Sequence, residues 1–207
     1  MEFDEFLKTF FEAIGKKNVA FVKNIYLDWL QTSGMVPKEQ EKYFFTDAIF
    51  SELKSLLNAT VTSVDVIDEY YVAHLRYPNG DGIMTFKKKG DTWVFFNEMS
   101  NKAMFTNIYT INYTTGDGQI RVLFNGKRTP VVTDMEADMQ GMVSPINSAL
   151  KKGENTITLQ SLEKKPVEVS IQMNGTVPGG VANSRNGNVL DWKGTVNEDI
   201  VLKFNAE

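Results

Sequence analysis

The chain has no cysteine and a single histidine, His74, among its 207 residues. The absence of cysteine excludes a disulfide framework, a thiolate nucleophile and any zinc site that needs sulfur ligands. A serine–histidine triad could form only around His74, and no Gly-x-Ser-x-Gly elbow accompanies it. Walker and dinucleotide-binding glycine patterns are also missing. The sequence therefore indicates no catalytic residue and no metal site, and we expect no cofactor.

The sequence also lacks a charge field of one sign and a long apolar run. Its formal net charge is −4, with 22 basic and 26 acidic residues interspersed, which disfavours nucleic acid as a partner. No run approaches the roughly 18 apolar residues that span a bilayer, so no membrane insertion is expected. The acidic start at Glu2, Asp4 and Glu5 does not resemble a secretory signal and favours the cytoplasm. A periplasmic or extracellular protein whose signal segment had been removed would have the same sequence.

The pattern of apolar residues changes near residue 100. Helical periodicity is strong before it, whereas short alternating runs separated by Gly, Asn and Pro follow it. At 207 residues and 42% hydrophobic content the chain is long enough for two cores. The sequence predicts two domains: an α+β domain of three helices packed on a curved antiparallel sheet at 1–100, and an all-β sandwich at 101–207.

Three helices are predicted in the first part of the chain. Gly15, followed by two lysines, is typical of a helix end. A second helix begins at about Asn18 and stops before Gly34, and a third follows Pro37 and runs toward Asn58. The apolar positions of these helices are Phe3, Phe6, Leu7, Phe10, Phe11 and Ile14, then Val22, Ile25, Tyr26, Trp29 and Leu30, then Phe44, Ile49, Leu53 and Leu57.

Four strands are predicted after Asn58, because the apolar period there changes to two. They cover about 60–68, 70–77, 82–88 and 92–98. Segments around Gly80 and Gly90 are typical of hairpin turns, since glycine accepts the positive φ angles that those turns need. An antiparallel meander that follows three amphipathic helices predicts a sheet covered by helices on one face.

The stretch from Phe11 to Tyr26, a helix end at Gly15-Lys16-Lys17 followed by a second amphipathic helix, resembles the opening of the nuclear transport factor two superfamily. That superfamily has a cystatin-like cone and includes the ketosteroid isomerases. The resemblance covers about residues 1–100 and implies a pocket enclosed by the helices and the curved sheet. Enzymes and non-enzymatic binding proteins of the superfamily both use this pocket, so the fold does not choose between them.

Strand alternation predicts which side chains line that pocket and which lie on the other face of the sheet. Both faces are apolar, so we expect the second face to be buried, either in a homodimer or against residues 101–207. His74, which lies on this second face, is interpreted as a packed or interface histidine rather than a general base. The pocket candidates are Tyr26, Trp29, Tyr71, Tyr77 and Trp93. The interface candidates on the second face are Val72, His74, Arg76, Phe86 and Phe96, with Met84 and Val94 beside them.

The second half predicts a β-sandwich of short strands at 108–113, 120–125, 156–160, 167–173, 189–192 and 200–204. The runs 120–127 and 144–159, with Gly153-Glu154-Asn155 leading into a strand, resemble galactose-binding-like jelly rolls. That resemblance implies sugar binding through aromatic residues on exposed loops. The loop at 175–188 contains no aromatic residue, which counts against carbohydrate binding.

The segment 133–142 admits two interpretations. Asp134, Glu136 and Asp138 alternate as in a calcium loop, but Met139 and Pro145 stand where that loop requires Gly and Glu. Thr133 and Glu136 match a capping box, which predicts a short helix instead. Met135, Met139 and Met142 would then share one face, either as a plug of the sandwich or as an adaptable stripe that binds a partner.

Three functions remain open at this point. The first is a non-enzymatic binding protein for a protein partner or a small ligand, which the superfamily resemblance extends to an immunity protein that neutralises a secreted toxin. The second is an isomerase, dehydratase or cyclase that uses acid and base groups in the cone, with Asp65, Asp68 and Glu69 as carboxylates and tyrosines as phenols. The third is an extracytoplasmic glycan-binding module.

Overall fold

A computed structural model describes residues 1–34, 36–132, 134–137, 139–142, 145–176 and 187–207. The chain divides into two compact units, Met1–Ser100 and Asn101–Glu207. It is an α+β protein with short to medium helices and three antiparallel sheets, and strands predominate.

The first unit begins with helices α1 (Phe3–Gly15) and α2 (Val19–Ser33). The side-chain oxygen of Asn18 accepts a hydrogen bond from the backbone N–H of Phe21 at 3.2 Å and so caps α2. Gly34, with φ 68°, ends α2 in the left-handed conformation. Both helices were predicted. Gly15 is the last residue of α1, but the left-handed conformation that follows this helix falls on Lys17 (φ 52°) rather than on the glycine.

The third predicted helix is wrong as a continuous element. Its segment forms α3 (Glu41–Phe44) and α4 (Asp47–Leu53), flanked by 3₁₀ turns at Lys38–Gln40 and Lys54–Asn58. Thr46 is extended, with ψ 172°, and separates the two short helices. The break lets two successive aromatic rings reach α2, because Phe44 lies 6.2 Å from Trp29 and Phe45 lies 6.2 Å from Tyr26, measured between ring centroids.

The sheet of the first unit contains β1 (Thr60–Ile67), β2 (Tyr70–Tyr77), β3 (Gly80–Lys89) and β4 (Thr92–Phe96), paired antiparallel in that order. All four strands were predicted to within a few residues. Gly80 (φ 154°), the first residue of β3, and Gly90 (φ 61°), in the turn before β4, lie at the two hairpins where glycine was expected. One face of the sheet packs on α1 and α2. The core there consists mainly of Phe3, Phe6, Phe10, Ile14, Val22, Ile25, Leu30, Phe50, Ala73, Leu75, Met84, Phe86 and Trp93.

The second unit contains two antiparallel sheets that share one apolar core. The first sheet has the order β10-β9-β5-β7 and the second β11-β8-β6. Their buried side chains form a single cluster that includes Ile111, Val122, Ile157, Leu159 and Ile171. All six strands predicted for this half are present. The strands are β5 (Ile108–Thr115), β6 (Ile120–Phe124), β7 (Gln140–Met142), β8 (Gly153–Ser161), β9 (Val167–Thr176), β10 (Gly187–Val196) and β11 (Ile200–Ala206).

The helix predicted at 133–142 is wrong for the described residues of that segment. Met135 forms a two-way backbone bridge with Ile120, at 2.6 and 2.8 Å, and Gln140–Met142 is strand β7. Met135 is 2% exposed and Met139 is 42% exposed, so they do not form one methionine stripe. Residues four apart share a face in a strand as well as in a helix, so pairing with neighbouring strands decided the conformation. Thr133, Asp138 and the Met142 side chain lie outside what the structure describes.

Candidate functional site

The first unit contains a pocket of about 430 Å³ bordered by α2, the segment 44–56 and strands β2, β3 and β4. Small-molecule sites in proteins typically occupy about 300–1,000 Å³. Three of the five predicted pocket residues line it: Tyr26, Trp29 and Tyr77. The complete lining is Tyr26, Trp29, Phe44, Phe45, Glu52, Leu53, Ser55, Leu56, Tyr77, Ile83, Met84, Phe95 and Asn97.

Aromatic side chains form much of this pocket wall, and neighbouring rings meet at steep angles. The rings of Trp29 and Phe95 are 5.7 Å apart at 83°, those of Tyr26 and Trp29 are 6.2 Å apart at 77°, and those of Phe44 and Phe45 are 5.2 Å apart at 78°. Such edge-to-face contacts stabilise the rings against one another. They also turn successive ring planes into different directions, so the wall does not present a single flat surface.

Two phenols supply polar atoms to the lining. Burial raises the pKa of Tyr26 far above its ordinary value, and the nearby Tyr77 adds to that rise. Burial also raises the pKa of Tyr77. Both phenols therefore stay protonated at neutral pH and can donate a hydrogen bond to a bound molecule.

Asn97 supplies a third polar group, and its orientation is fixed. Its Oδ1 atom accepts the indole N–H of Trp29 at 2.8 Å and the backbone N–H of Met99 at 3.0 Å. Its backbone N–H donates to Ser100 Oγ at 3.0 Å. Because the oxygen is engaged by two donors, the side-chain nitrogen remains as the donor available at the pocket. Alternation placed Asn97 on the face of Trp93 and Phe95, which was the signal that could have identified it.

The charge at the pocket comes from one residue among the described lining. Glu52 is exposed and lines the pocket, and the lining contains no lysine, arginine or histidine. The carboxylates that could have served as a base lie elsewhere: Asp65 is paired with His74, and Asp68 and Glu69 form the turn between β1 and β2.

Tyr71 and Trp93, the other two pocket candidates, do not line the pocket. Their ring centroids lie 4.7 Å apart, and each lies 4.9 Å from the ring of Phe3 in α1. The indole N–H of Trp93 donates to the backbone oxygen of Met1 at 3.3 Å. They are therefore core residues beneath α1, and the pocket opens farther along the same face.

Most of the interface candidates lie on the second sheet face, as predicted. Val72 and Phe96 are 5% and 3% exposed. Phe86 was assigned to this face wrongly. It pairs with Tyr71 and Phe95 in the ladder and lies in the helix-facing core. Met84 pairs with Ala73 and belongs to that core as well.

His74 and Arg76 lie toward one end of the second face, in a cleft of about 380 Å³. The His74 Nε2 atom lies 2.8 Å from Asp65 Oδ2, and Arg76 Nε donates to Asp81 Oδ1 at 3.1 Å. Neither pair reaches the aromatic pocket lining. His74 is therefore paired with an exposed carboxylate rather than directed at the phenols of the pocket.

In the second unit, Asp134 is held by arginines rather than arranged as a calcium ligand. Arg121 donates two hydrogen bonds to its carboxylate, both at 2.9 Å, and Arg128 approaches to 3.6 Å. The hydrogen bonds from Arg121 lower the pKa of Asp134, although partial burial opposes them. No group of three or more His, Cys, Asp or Glu residues within the described ranges could hold a metal ion.

A polar cleft of about 340 Å³ lies on the outer face of β5, β7 and β9, where amide and hydroxyl side chains such as Asn112, Gln140 and Gln172 line it. None of the helices in the described part of the chain is long and apolar enough to cross a membrane. No protein-family model, no curated protein and no solved structure matches the chain.

Proposed function

We propose that the first unit binds a small, largely apolar ligand in its aromatic pocket. The observation that carries this proposal is an accessible cavity of about 430 Å³ in a unit whose other aromatic side chains are closely packed. Protein interiors normally leave few voids larger than a water molecule. A cleft of this size lined by apolar rings is the usual setting for a small-molecule site.

The polar groups of the pocket define how such a ligand is oriented. The hydroxyls of Tyr26 and Tyr77 and the amide nitrogen of Asn97 are hydrogen-bond donors set among apolar walls. A neutral acceptor atom on the ligand, where one is present, would accept from them while the body of the ligand contacts the rings. Helices α1 and α2 and the broken helical segment, together with a four-stranded meander and a pocket, are compatible with a cone of the nuclear transport factor two type. The two sheets of the second unit are compatible with a jelly-roll-like sandwich.

Binding is better supported than acid–base catalysis. An isomerase-type site needs a base next to the phenols, usually a carboxylate whose pKa is tuned by burial. The carboxylate in the described lining, Glu52, is exposed to solvent. Asp65 pairs with His74 outside that lining. The hydrogen-bond donors around the pocket are therefore better suited to binding a ligand than to transferring a proton.

The test is a titration with N-phenyl-1-naphthylamine, a neutral apolar dye whose fluorescence rises in apolar sites. Wild-type protein is expected to bind it saturably, with one site per chain. Ser55→Trp places an indole at the pocket lining and should weaken binding by about tenfold or more, because it occupies the volume that the dye needs.

Ser51→Trp is the matched control, because Ser51 is exposed in α4 and does not line the pocket. It should bind the dye as the wild type does. Absence of saturable binding to the wild type, or equal loss in both variants, would refute the proposal.

A further inference from the structure

Resting on the proposed function, we infer that the ligand of the aromatic pocket is an organic cation, with a quaternary or tertiary ammonium group attached to an apolar body. Three features of the pocket support this inference: the number of ring faces, their mutual angles and the sign of the charge at the lining.

Six aromatic side chains line the pocket, and each carries a negative potential over its ring face. Trp29, Tyr26 and Phe95 contact one another, and Phe44 and Phe45 add rings at 6.2 Å from Trp29 and Tyr26. Since most neighbouring planes differ by 56–83°, the faces point in several directions. An ammonium group that enters such a set meets several faces at once, which is how aromatic cages recognise quaternary ammonium ions.

The charged groups at the lining also favour a cationic ligand. A carboxylate ligand would approach Glu52 and would find no lysine, arginine or histidine among the described lining residues. An unpaired anion is costly to bury, so the pocket disfavours acids. Both phenols are neutral at pH 7, and burial raises their pKa values further. A cation, by contrast, is attracted electrostatically by the ring faces and by the carboxylate of Glu52.

The pocket volume sets the size of the ligand. About 430 Å³ is more than a bare trimethylammonium group fills, so the cation needs an apolar body that contacts Leu53, Leu56 and Met84. Benzyltrimethylammonium has that form. Neopentylbenzene replaces its charged nitrogen by carbon and keeps its shape, and 3-phenylpropionate carries the opposite charge on a body of similar size.

The experiment measures displacement of N-phenyl-1-naphthylamine by these three compounds from the full-length chain. Benzyltrimethylammonium should bind about tenfold more tightly than neopentylbenzene, and 3-phenylpropionate should bind most weakly. Glu52→Gln should weaken binding of the cation about two- to fivefold, because an exposed carboxylate contributes modestly, and should weaken binding of neopentylbenzene by a smaller factor. Phe44→Leu should weaken the cation more than the neutral compound, since it removes a ring face and keeps an apolar side chain.

The outcomes separate the two proposals. If the dye binds saturably but neopentylbenzene or 3-phenylpropionate competes as well as the cation, or no compound displaces the dye, the cation inference is wrong and the proposed function stands. If the dye does not bind saturably, the proposed function itself is wrong, and the inference falls with it.

Discussion

Replacement of Asn155 by alanine is expected to be among the most destabilising single changes in the second unit. Asn155 is 0% exposed and saturates its hydrogen-bonding groups. Its Oδ1 atom accepts the backbone N–H of Lys151 at 2.9 Å and the Asn125 amide at 3.0 Å. Its Nδ2 atom donates to the carbonyls of Lys151 at 2.7 Å and Gly153 at 2.9 Å. The side chain thus closes the turn that leads into β8.

The magnitude follows from those four bonds. A net contribution of about 1 kcal/mol each gives roughly 4 kcal/mol, and water can recover part of it because Lys151 and Gly153 are exposed. We therefore expect Asn155→Ala to lower the free energy of unfolding by about 2–4 kcal/mol. Asn155→Asp should lower the free energy of unfolding by at least as much. A carboxylate can still accept the two hydrogen bonds made to Oδ1, but it cannot donate to the two carbonyl groups that Nδ2 now satisfies.

Urea denaturation of the full chain, followed by circular dichroism and tryptophan fluorescence, measures these effects. Trp192 lies in the second unit, whereas Trp29 and Trp93 lie in the first, which helps to assign the transitions. Asn205→Ala, an exposed asparagine in β11, is the control and should change stability by less than about 0.5 kcal/mol. A loss below about 1 kcal/mol for Asn155→Ala, or wild-type stability for Asn155→Asp, would refute the reasoning.

Three further changes test other parts of the molecule. Gly82→Ala should lower the affinity for the dye roughly threefold or more in a titration. Its new Cβ would lie 2.9 Å from Tyr77 Cε2 and would displace that ring, which is part of the pocket wall. Unchanged affinity would contradict this prediction. Asp134→Asn should lower stability by about 1–2 kcal/mol at pH 7. The pKa of Asp134 is lowered, so its stabilisation of the fold is complete above about pH 4, the pKa in the unfolded chain, and is lost as pH falls through the folded pKa. The urea midpoints of the variant and the wild type should therefore converge in acid. A constant difference between them would count against the pairing with Arg121. Phe96→Asp should lower the free energy of unfolding by roughly 3–5 kcal/mol, since Phe96 is 3% exposed. If the variant instead keeps the native melting temperature and the native mass by light scattering, the second face tolerates charge and the prediction is wrong.

Local signals in the sequence predicted most elements of the fold. Asn18 and Gly34 mark the ends of α2, and Gly80 and Gly90 mark hairpin connections, because each residue satisfies a backbone requirement that few others meet. The register of β2 against β3 was not available from such signals. When both faces of a sheet are apolar, alternation separates two sets of side chains but does not say which pairs with which. Phe86 was therefore placed on the wrong face.

The pocket was predictable only in part for a related reason. Tyr26, Trp29 and Tyr77 follow from helix and strand faces, since each belongs to a long periodic element. Phe44 and Phe45 line the pocket because the helix ends there and both rings contact α2. No periodic pattern encodes a tertiary contact of this kind. Strand β7 was missed because a three-residue edge strand is too short to show alternation.

The broken helical segment also has a kinetic consequence. Its pieces, from Lys38 to Asn58, are three to seven residues long, well below the roughly 12–15 residues that an isolated helix needs to persist in water. They are held by contacts such as that of Phe50, which is 2% exposed. Opening this stretch costs less than unfolding the sheet, so its amide protons should exchange with solvent earlier than those of α2. Because this stretch forms one wall of the pocket, its local opening would speed ligand dissociation even from a unit that is globally stable.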